Sequence, residues 1–100
     1  MALLEVTELS ELSRTGIGSQ VMAGQMPWIA HQQVAIGASS AQSQAFSDTT
    51  RFIRIHTDVT CRVAFGNNPT ASSASMRMTA GNTEYLGVIP GHKVAVIASS

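Results

Sequence analysis

The feature that most constrains this chain is the alternation of apolar and polar residues between residues 51 and 66. One set of alternate positions is apolar apart from a single threonine: Ile53, Ile55, Thr57, Val59, Cys61, Val63 and Phe65. The positions between them are polar as far as residue 62: Arg54, His56, Asp58, Thr60 and Arg62. A period of two residues is that of a strand with one buried and one wet face. Because strands longer than about ten residues are unusual, the run predicts two strands that meet at a turn or bulge near Asp58.

Shorter strand-like segments precede and follow this run, and turn residues separate them. We predict strands at 33–37, 42–47, 76–78, 83–89 and 93–98, the last of them central in its sheet because it is apolar on both faces. Turn-forming residues cluster at 48–50, 66–70 and 90–92. About seven or eight short strands with a turn every 8–12 residues predict an all-β fold, a single small antiparallel β-sandwich or barrel of Greek-key or jelly-roll-like order.

Residues 1–30 are patterned less clearly than the rest of the chain. Every third position near the start is apolar: Leu3, Val6, Leu9 and Leu12. This spacing suits either one face of a helix or a short strand followed by a turn at 13–16. Glycines at 16, 18 and 24 and the proline at 27 then interrupt any regular element. We therefore expect an extended N-terminal arm or irregular segment at 1–30 and a β-sandwich domain at 31–100.

The N-terminal arm carries large apolar side chains although its sequence is too irregular to build a core of its own. These residues are Met22, Met26, Trp28 and Ile29. Either they fold back on the β-sandwich domain or they dock on a partner, since an extended segment grips a neighbour through main-chain pairing and side-chain pockets together. Tryptophan is frequent among the residues that dominate binding energy, and methionine adapts to uneven surfaces. All four are candidate partner-interface residues.

The composition is unusually poor in charge. Six basic residues balance six acidic ones, and charged residues make up 12% of the chain against about 25% in an average domain. Without a basic excess we expect no nucleic-acid binding, and without an apolar stretch of about 18 residues no membrane-spanning helix. A hydrophobic content of 44% argues against disorder, and the single cysteine is expected to be a buried thiol. A surface with so little charge suits a subunit that packs on its neighbours.

Catalytic and metal-binding patterns are not found in the sequence. The three histidines have no partner at metal-ligand spacing, no pair of carboxylates suits acid–base chemistry, and no Gly-x-Ser-x-Gly elbow occurs. We therefore expect no enzyme, no metal and no cofactor. The polar strand face with Arg54, His56 and Arg62 adds three candidate interface residues, which we expect a neighbouring subunit to contact.

Two long segments resemble a group of small structural proteins of tailed bacteriophages. They are residues 51–71, RFIRIHTDVTCRVAFGNNPTA, and residues 83–97, TEYLGVIPGHKVAVI. The pattern shared with that group is a strand, an aspartate, a strand ending in Phe-Gly-x-Asn-Pro-x-Ala, a small-residue loop, Glu-aromatic-x-Gly-Val-x-Pro-Gly and a final strand. Residues 33–37 and 40–46 are similar as well, so the resemblance covers about residues 32–98.

The resemblance implies a non-enzymatic virion protein, most like a capsid decoration (cement) protein that binds the major capsid protein and stabilises the head. A tail, collar or head–tail joining protein of the same particle is the alternative, and a carbohydrate-binding adsorption module is a weaker one. We expect a homo-oligomer, a dimer or trimer, that contacts the major capsid protein or other virion proteins. Acidic residues at 5, 8 and 11 argue against a signal peptide, so we expect assembly in the host cytoplasm and a final location on the virion, at the capsid surface.

Overall fold

A computed structural model describes residues 2–9, 12–14, 20–24 and 29–99, the segments 12–14 and 20–24 by their backbone alone. The described residues form ten strands and no helix. Their bounds are β1 Leu3–Leu9, β2 Leu12–Arg14, β3 Gln20–Gly24, β4 Ala30–Ala35, β5 Ala41–Gln42, β6 Phe52–Thr57, β7 Cys61–Gly66, β8 Met76–Met78, β9 Thr83–Gly87 and β10 Lys93–Ala98.

Eight of these strands form two four-stranded sheets. The first sheet has the order β4-β1-β6-β9 and the second sheet the order β5-β10-β7-β8, while β2 and β3 form a separate two-stranded sheet, here called the hairpin. Every strand pair is antiparallel. The predicted all-β, antiparallel fold is confirmed. The predicted turn near Asp58 is confirmed too, because β6 ends at Thr57 and β7 begins at Cys61.

Both sheets contribute to one hydrophobic core. Its buried members are Leu4, Val6, Val34, Phe46, Ile53, Ile55, Cys61, Val63, Met78, Val94 and Val96. They occupy alternate positions along β1, β6, β7 and β10, as the pleat of a strand requires when one face is buried. The last strand is central in the second sheet, as its sequence predicts, with β5 on one side and β7 on the other.

The predicted boundary between an arm at 1–30 and a domain at 31–100 is wrong for residues 3–9. Residues Leu3–Leu9 form β1, an interior strand of the first sheet that pairs with β4 on one side and β6 on the other. Leu4 and Val6 are fully buried in the core. Of the two interpretations of this segment, the short strand is therefore correct and the helix is not. The three-residue spacing misled because the end of β1 is buried on both of its faces, at Thr7, Glu8 and Leu9.

The hairpin continues the β1–β4 ribbon beyond the first sheet. Glu8 pairs with Ala30 at the end of the ribbon, and Leu12 pairs with Gly24 where the hairpin begins. The register shifts again inside the hairpin, where Arg14 pairs with Gln20. Since β6 reaches only as far as Phe52 opposite Leu9, the hairpin lies past the end of β6, and β3 comes within 8 Å of it. This part of the expected arm is thus a two-stranded ribbon.

A second difference concerns the strand predicted at 42–47. Only Ala41 and Gln42 pair as a strand, β5, and the residues after them form an extended loop. The backbone N–H of Ser43 donates to the Val94 carbonyl at 2.8 Å, and the N–H of Phe46 donates to the His92 carbonyl at 2.8 Å. Phe46 enters the core from this loop. The predicted strand is therefore mostly an extended loop, in which Phe46 is buried and Ala45 is exposed.

Candidate partner interface

The outer face of the first sheet is its solvent side, opposite the core. The outward positions follow from the alternation with fully buried Ile53 and Ile55 on β6 and from the strand register. One row across the sheet holds Gln33, Glu5, His56 and Thr83, and the next holds His31, Thr7, Arg54 and Tyr85. The two rows carry a single formal charge of each sign, on Glu5 and Arg54. This outer face is therefore polar and close to neutral.

Hydrogen bonds between strands hold the side chains of the outer face in place. The Thr7 hydroxyl and the His31 Nδ1 lie 2.9 Å apart, and the His31 Nε2 lies 3.6 Å from the Glu5 carboxylate, an ion pair when the imidazole is protonated. Nearer the β9 edge of the same face, His56 Nδ1 and the Thr83 hydroxyl lie 2.8 Å apart. Each pair joins two neighbouring strands, so little side-chain freedom remains to be lost when another surface packs on this face.

An aromatic pair lies at one end of the same face. The rings of Phe52 and Tyr85 stack with their centroids 5.8 Å apart and their planes inclined by 20°. Tyr85 is 48% exposed although it is a large apolar side chain. Beyond β9, Phe65 and Ile89 are exposed as well and line a groove of about 280 Å³ together with Phe46 and Val88. Exposed aromatic and aliphatic residues grouped in this way are typical of surfaces that bind other proteins.

A buried carboxylate supports the end of β1 from the core side. Glu8 is 3% exposed. Its Oε1 accepts hydrogen bonds from the Ser47 backbone N–H and the Thr50 hydroxyl, both at 2.7 Å, and its Oε2 accepts one from Gln32 Nε2 at 3.2 Å. The bonded groups come from β4 and from the loop after β5. Because a buried carboxylate is stable only when it is hydrogen-bonded, this set of bonds fixes the base of the ribbon from which the hairpin extends.

On the outer face of the second sheet, two side chains bond to its own loops beside an open groove of about 460 Å³ that Arg62 and Ile97 line. Gln42 Nε2 donates to the Asn68 side chain at 2.9 Å and to the Pro69 carbonyl at 2.7 Å. Ala95 lies beside Gln42 in the ladder and is fully buried even though it faces away from the core. Arg62 donates from Nη1 to the Ser75 carbonyl at 2.9 Å. This guanidinium therefore fastens the loop before β8.

The structure separates the seven residues selected from the sequence. Arg54 and His56 share the outer face of the first sheet, whereas Arg62 lies on the second sheet. Ile29 is half-buried beside the ribbon, where its N–H donates to the Glu8 carbonyl at 2.7 Å. Met22 belongs to β3, whose side chains lie outside the description, and Met26 and Trp28 lie outside the described residues.

Sequence reasoning missed the neighbours that complete the outer face. Glu5, Thr7 and His31 were not selected, because nothing in the sequence indicates that β1 lies between β4 and β6. In the sequence, Tyr85 lies out of phase with the apolar Leu86 and Val88, and that pattern, together with its aromatic ring, is the signal that could have identified it.

Metal and thiol chemistry are not supported by the described part of the chain. No group of three or more His, Cys, Asp or Glu side chains within it could hold a metal ion. Cys61 is fully buried, and this burial raises the pKa of its thiol above 9.0; the charge of Asp58 adds to the shift, and the hydrogen bond to Thr57 opposes it. A thiol of this kind is unreactive at neutral pH. None of the described residues forms a helix long and apolar enough to cross a membrane.

The chain matches no protein-family model, no curated protein and no solved structure.

Proposed function

We propose that this protein is a non-enzymatic structural subunit of a tailed-phage virion, a capsid decoration (cement) protein that binds the major capsid protein and stabilises the head. The proposal joins two lines of support. One is the resemblance of residues 32–98 to small phage structural proteins, and the other is the character of the surface. Both concern a protein whose work is to pack against other proteins, with homo-oligomers of two or three copies as the assembling unit.

The observation that carries the proposal is the outer face of the first sheet. It is polar, nearly neutral and held in place by hydrogen bonds between strands, with a half-exposed aromatic ring at one end. Interface cores are depleted in charge and enriched in aromatic residues, because desolvating a charge is costly and an aromatic ring contributes much contact area. A surface with one charge of each sign can be buried at small cost. We therefore assign this face to the contact with the capsid.

The hairpin gives the proposed subunit a second means of attachment. Its described residues, 12–14 and 20–24, pair with neither four-stranded sheet, and a two-stranded ribbon is marginally stable by itself. Its strand β3 carries no charged residue: the sequence of Gln20–Gly24 is QVMAG. A ribbon of this kind gains stability when it lies on another protein, as gripping segments do. In the proposed assembly, the hairpin lies on the capsid surface next to the area that the outer face contacts.

The test is reconstitution on particles that lack the protein. Purified protein is added to such particles, and co-sedimentation is measured along with survival of heating and of osmotic shock. We expect saturable binding to heads and increased resistance of the particle. Binding to isolated tails without binding to heads would contradict the proposal in favour of a tail or joining role.

The number of copies bound per particle gives an independent check. A decoration protein occupies sites that repeat over the whole capsid lattice, whereas a ring at the collar or tail holds about six or twelve copies, as closed cyclic symmetry requires. Quantitative mass spectrometry of purified virions measures this ratio against the major capsid protein. A ratio that corresponds to about six or twelve copies per virion would contradict a role in capsid decoration.

A further inference from the structure

We propose that two copies of this chain join through strand β9, which pairs antiparallel with β9 of a second copy and turns two four-stranded sheets into one sheet of eight. The inference deepens the proposed function, on which its biological purpose rests, by naming the surface that makes the homo-oligomer. It commits to a two-fold symmetric dimer, the commonest closed assembly. The backbone of Thr83–Gly87 and the side chain of Tyr85 form the proposed joint.

The first step is that β9 has an open edge. The Val88 N–H donates to the Arg51 carbonyl at 3.0 Å and the Thr57 N–H donates to the Asn82 carbonyl at 3.2 Å, which fixes the alternation of the ladder between β6 and β9. Glu84 and Leu86 therefore bond to β6 through their backbones. The N–H and C=O groups of the residues between and beside them, Thr83, Tyr85 and Gly87, point away from β6. Within the described ranges, no strand pairs with this edge.

The second step is that the other sheet edges are short or covered. In the second sheet, β5 has two residues and β8 has three, so neither offers much length for pairing. In the first sheet, β4 has six residues, but Gln32 bonds to the loop beside it, accepting from the Gln44 N–H at 2.9 Å and donating to the Gln44 carbonyl at 3.3 Å. By contrast, β9 has five residues and contains neither proline nor lysine, which natural proteins use to protect such edges.

The third step is that the edge is complementary to itself. Two copies of β9 related by a two-fold axis at Tyr85 place each Tyr85 opposite the other and each Thr83 opposite Gly87 of the second copy. The three residues whose N–H and C=O groups point away from β6 then exchange backbone hydrogen bonds with the second copy. The antiparallel pattern gives about six such bonds in the dimer. Glu84 falls opposite Leu86 of the second copy, so the two carboxylates do not face each other.

The side chains on the outer face favour the same pairing. Tyr85 is 48% exposed and already stacks on Phe52, so the two-fold axis would place two aromatic pairs side by side across the joint. Aromatic pairs opposite each other across strands stabilise antiparallel sheets. No formal charge lies among the residues of β9 on the outer face; its one charged residue, Glu84, lies on the opposite face.

The dimer predicts a distinctive pattern of amide hydrogen exchange. In concentrated protein, the amides of Thr83, Tyr85 and Gly87 should exchange slowly, and dilution below the dissociation constant should make them fast. The amides of Glu84 and Leu86 should stay slow at every concentration, because they bond to β6 within one chain. Sedimentation equilibrium over the same range should show the mass rising from 10.5 kDa to twice that value. A monomer at about 100 μM, with fast exchange at all three outward amides, would overturn the inference.

Cross-linking tests the position of the axis. In an antiparallel hydrogen-bonded pair the Cα atoms lie about 5.5 Å apart, within the range of a disulfide. Tyr85→Cys should therefore oxidise to a covalent dimer. Gln33→Cys is the matched control, since it is exposed on the same outer face at the opposite edge of the sheet and should stay monomeric. Equal cross-linking of the two variants, or none at residue 85, would contradict the proposed axis.

A charge variant separates this inference from the proposed function. Tyr85→Lys would place two ammonium groups opposite each other and should raise the dimer dissociation constant at least about tenfold, while Gln33→Lys should leave it unchanged. Wild-type protein that dimerises without binding phage particles would leave the dimer in place and remove the virion role. Wild-type protein that stays monomeric and still binds heads would contradict the dimer and support the virion role.

Discussion

The two sheets of this protein share a core and differ in what they present to the outside. The first sheet has edge strands of six and five residues, an outer face that is polar and nearly neutral, and an aromatic ring half in solvent. The second sheet has edge strands of two and three residues, and its outer face is bonded to its own loops through Gln42 and Arg62. On this difference rests our proposal that the first sheet, and not the second, contacts other subunits.

If the proposed assembly is correct, this contrast explains how a small chain with little charge could associate. A domain of 100 residues has enough apolar residues for one core and little surplus. On the outside of the second sheet, the side chains of Gln42 and Arg62 bond to loop carbonyls. The first sheet leaves its outer face and one strand edge available, and it is the sheet from which the hairpin extends. The predictions below test this division, beginning with what the sheets have in common.

The largest expected effect follows from the common core. Ile53 on β6 and Val63 on β7 are buried in the same cluster from opposite sheets. Ile53→Ala should lower the free energy of unfolding by about 3–4 kcal/mol and Val63→Ala by about 2–3 kcal/mol, because each leaves a cavity in a closely packed core. Urea unfolding followed by fluorescence and by circular dichroism should show one transition for each variant. If the two probes give separate transitions, the sheets are not one cooperative unit.

A smaller but more specific effect is expected on the inner side of the first sheet. Glu8→Ala leaves the buried Thr50 hydroxyl and the partly buried Ser47 N–H without their acceptor, so it should cost about 2–3 kcal/mol. Glu5→Ala is the matched control on the same strand, because its side chain is 43% exposed on the outer face. We expect the control to change stability by no more than about 0.5 kcal/mol. Equal losses in the two variants would mean that the Glu8 hydrogen bonds do not stabilise the fold.

These two predictions also mark the limit of what the sequence could reveal. The strands β6, β7, β8 and β10 follow from local alternation and turn residues, and the structure places β8 and β10 at the predicted bounds. The placement of β1 did not follow, because its burial depends on pairing with β4 and β6, which lie some tens of residues away. Glu8 is the sharpest case. Its partners Ser47 and Thr50 are 39 and 42 residues distant, so the sequence alone shows an acidic residue and gives no sign that it is buried.

The candidate interface was predictable to a similar degree. The alternation around Arg54 and His56 correctly identified a wet strand face, since period and polarity are local properties. The same reasoning grouped Arg62 with them, although a turn at Asp58 sends β7 into the other sheet. A sequence pattern can give the face of a strand but not the sheet that the strand joins. The division between the sheets had to come from the structure.

The second sheet should respond to alkaline pH through Cys61. Burial raises the pKa of this thiol above 9.0, so the unfolded chain loses the proton at a lower pH than the folded one. Stability is therefore unaffected below about pH 8 and falls as the pH rises past the unfolded value, by up to about 1.4 kcal/mol per pH unit until the folded thiol ionises. Unfolding free energies measured between pH 8 and 10 should fall more steeply for the wild type than for Cys61→Ala. Parallel slopes would show that the folded thiol ionises like an unfolded one.

Two arginines occupy corresponding places on the outer faces of the two sheets. Replacing each of them should change stability least of all, and the pair tests directly whether the two faces have different roles. Arg62 donates to the Ser75 carbonyl, so Arg62→Ala should cost about 0.5–1 kcal/mol through the loop before β8. Arg54 lies among the outward residues of the first sheet, and Arg54→Ala should change stability by less than about 0.5 kcal/mol.

Binding to particles should reverse that order. If the first sheet is the contact surface, Arg54→Ala weakens co-sedimentation with heads by about tenfold, since truncating an interface arginine often costs more than 1 kcal/mol, while Arg62→Ala binds like the wild type. The two variants remove the same side chain from the same kind of strand position, so a general loss of charge cannot account for a difference between them. Weaker binding by Arg62→Ala alone would assign the contact to the second sheet and reverse the roles proposed for the two faces.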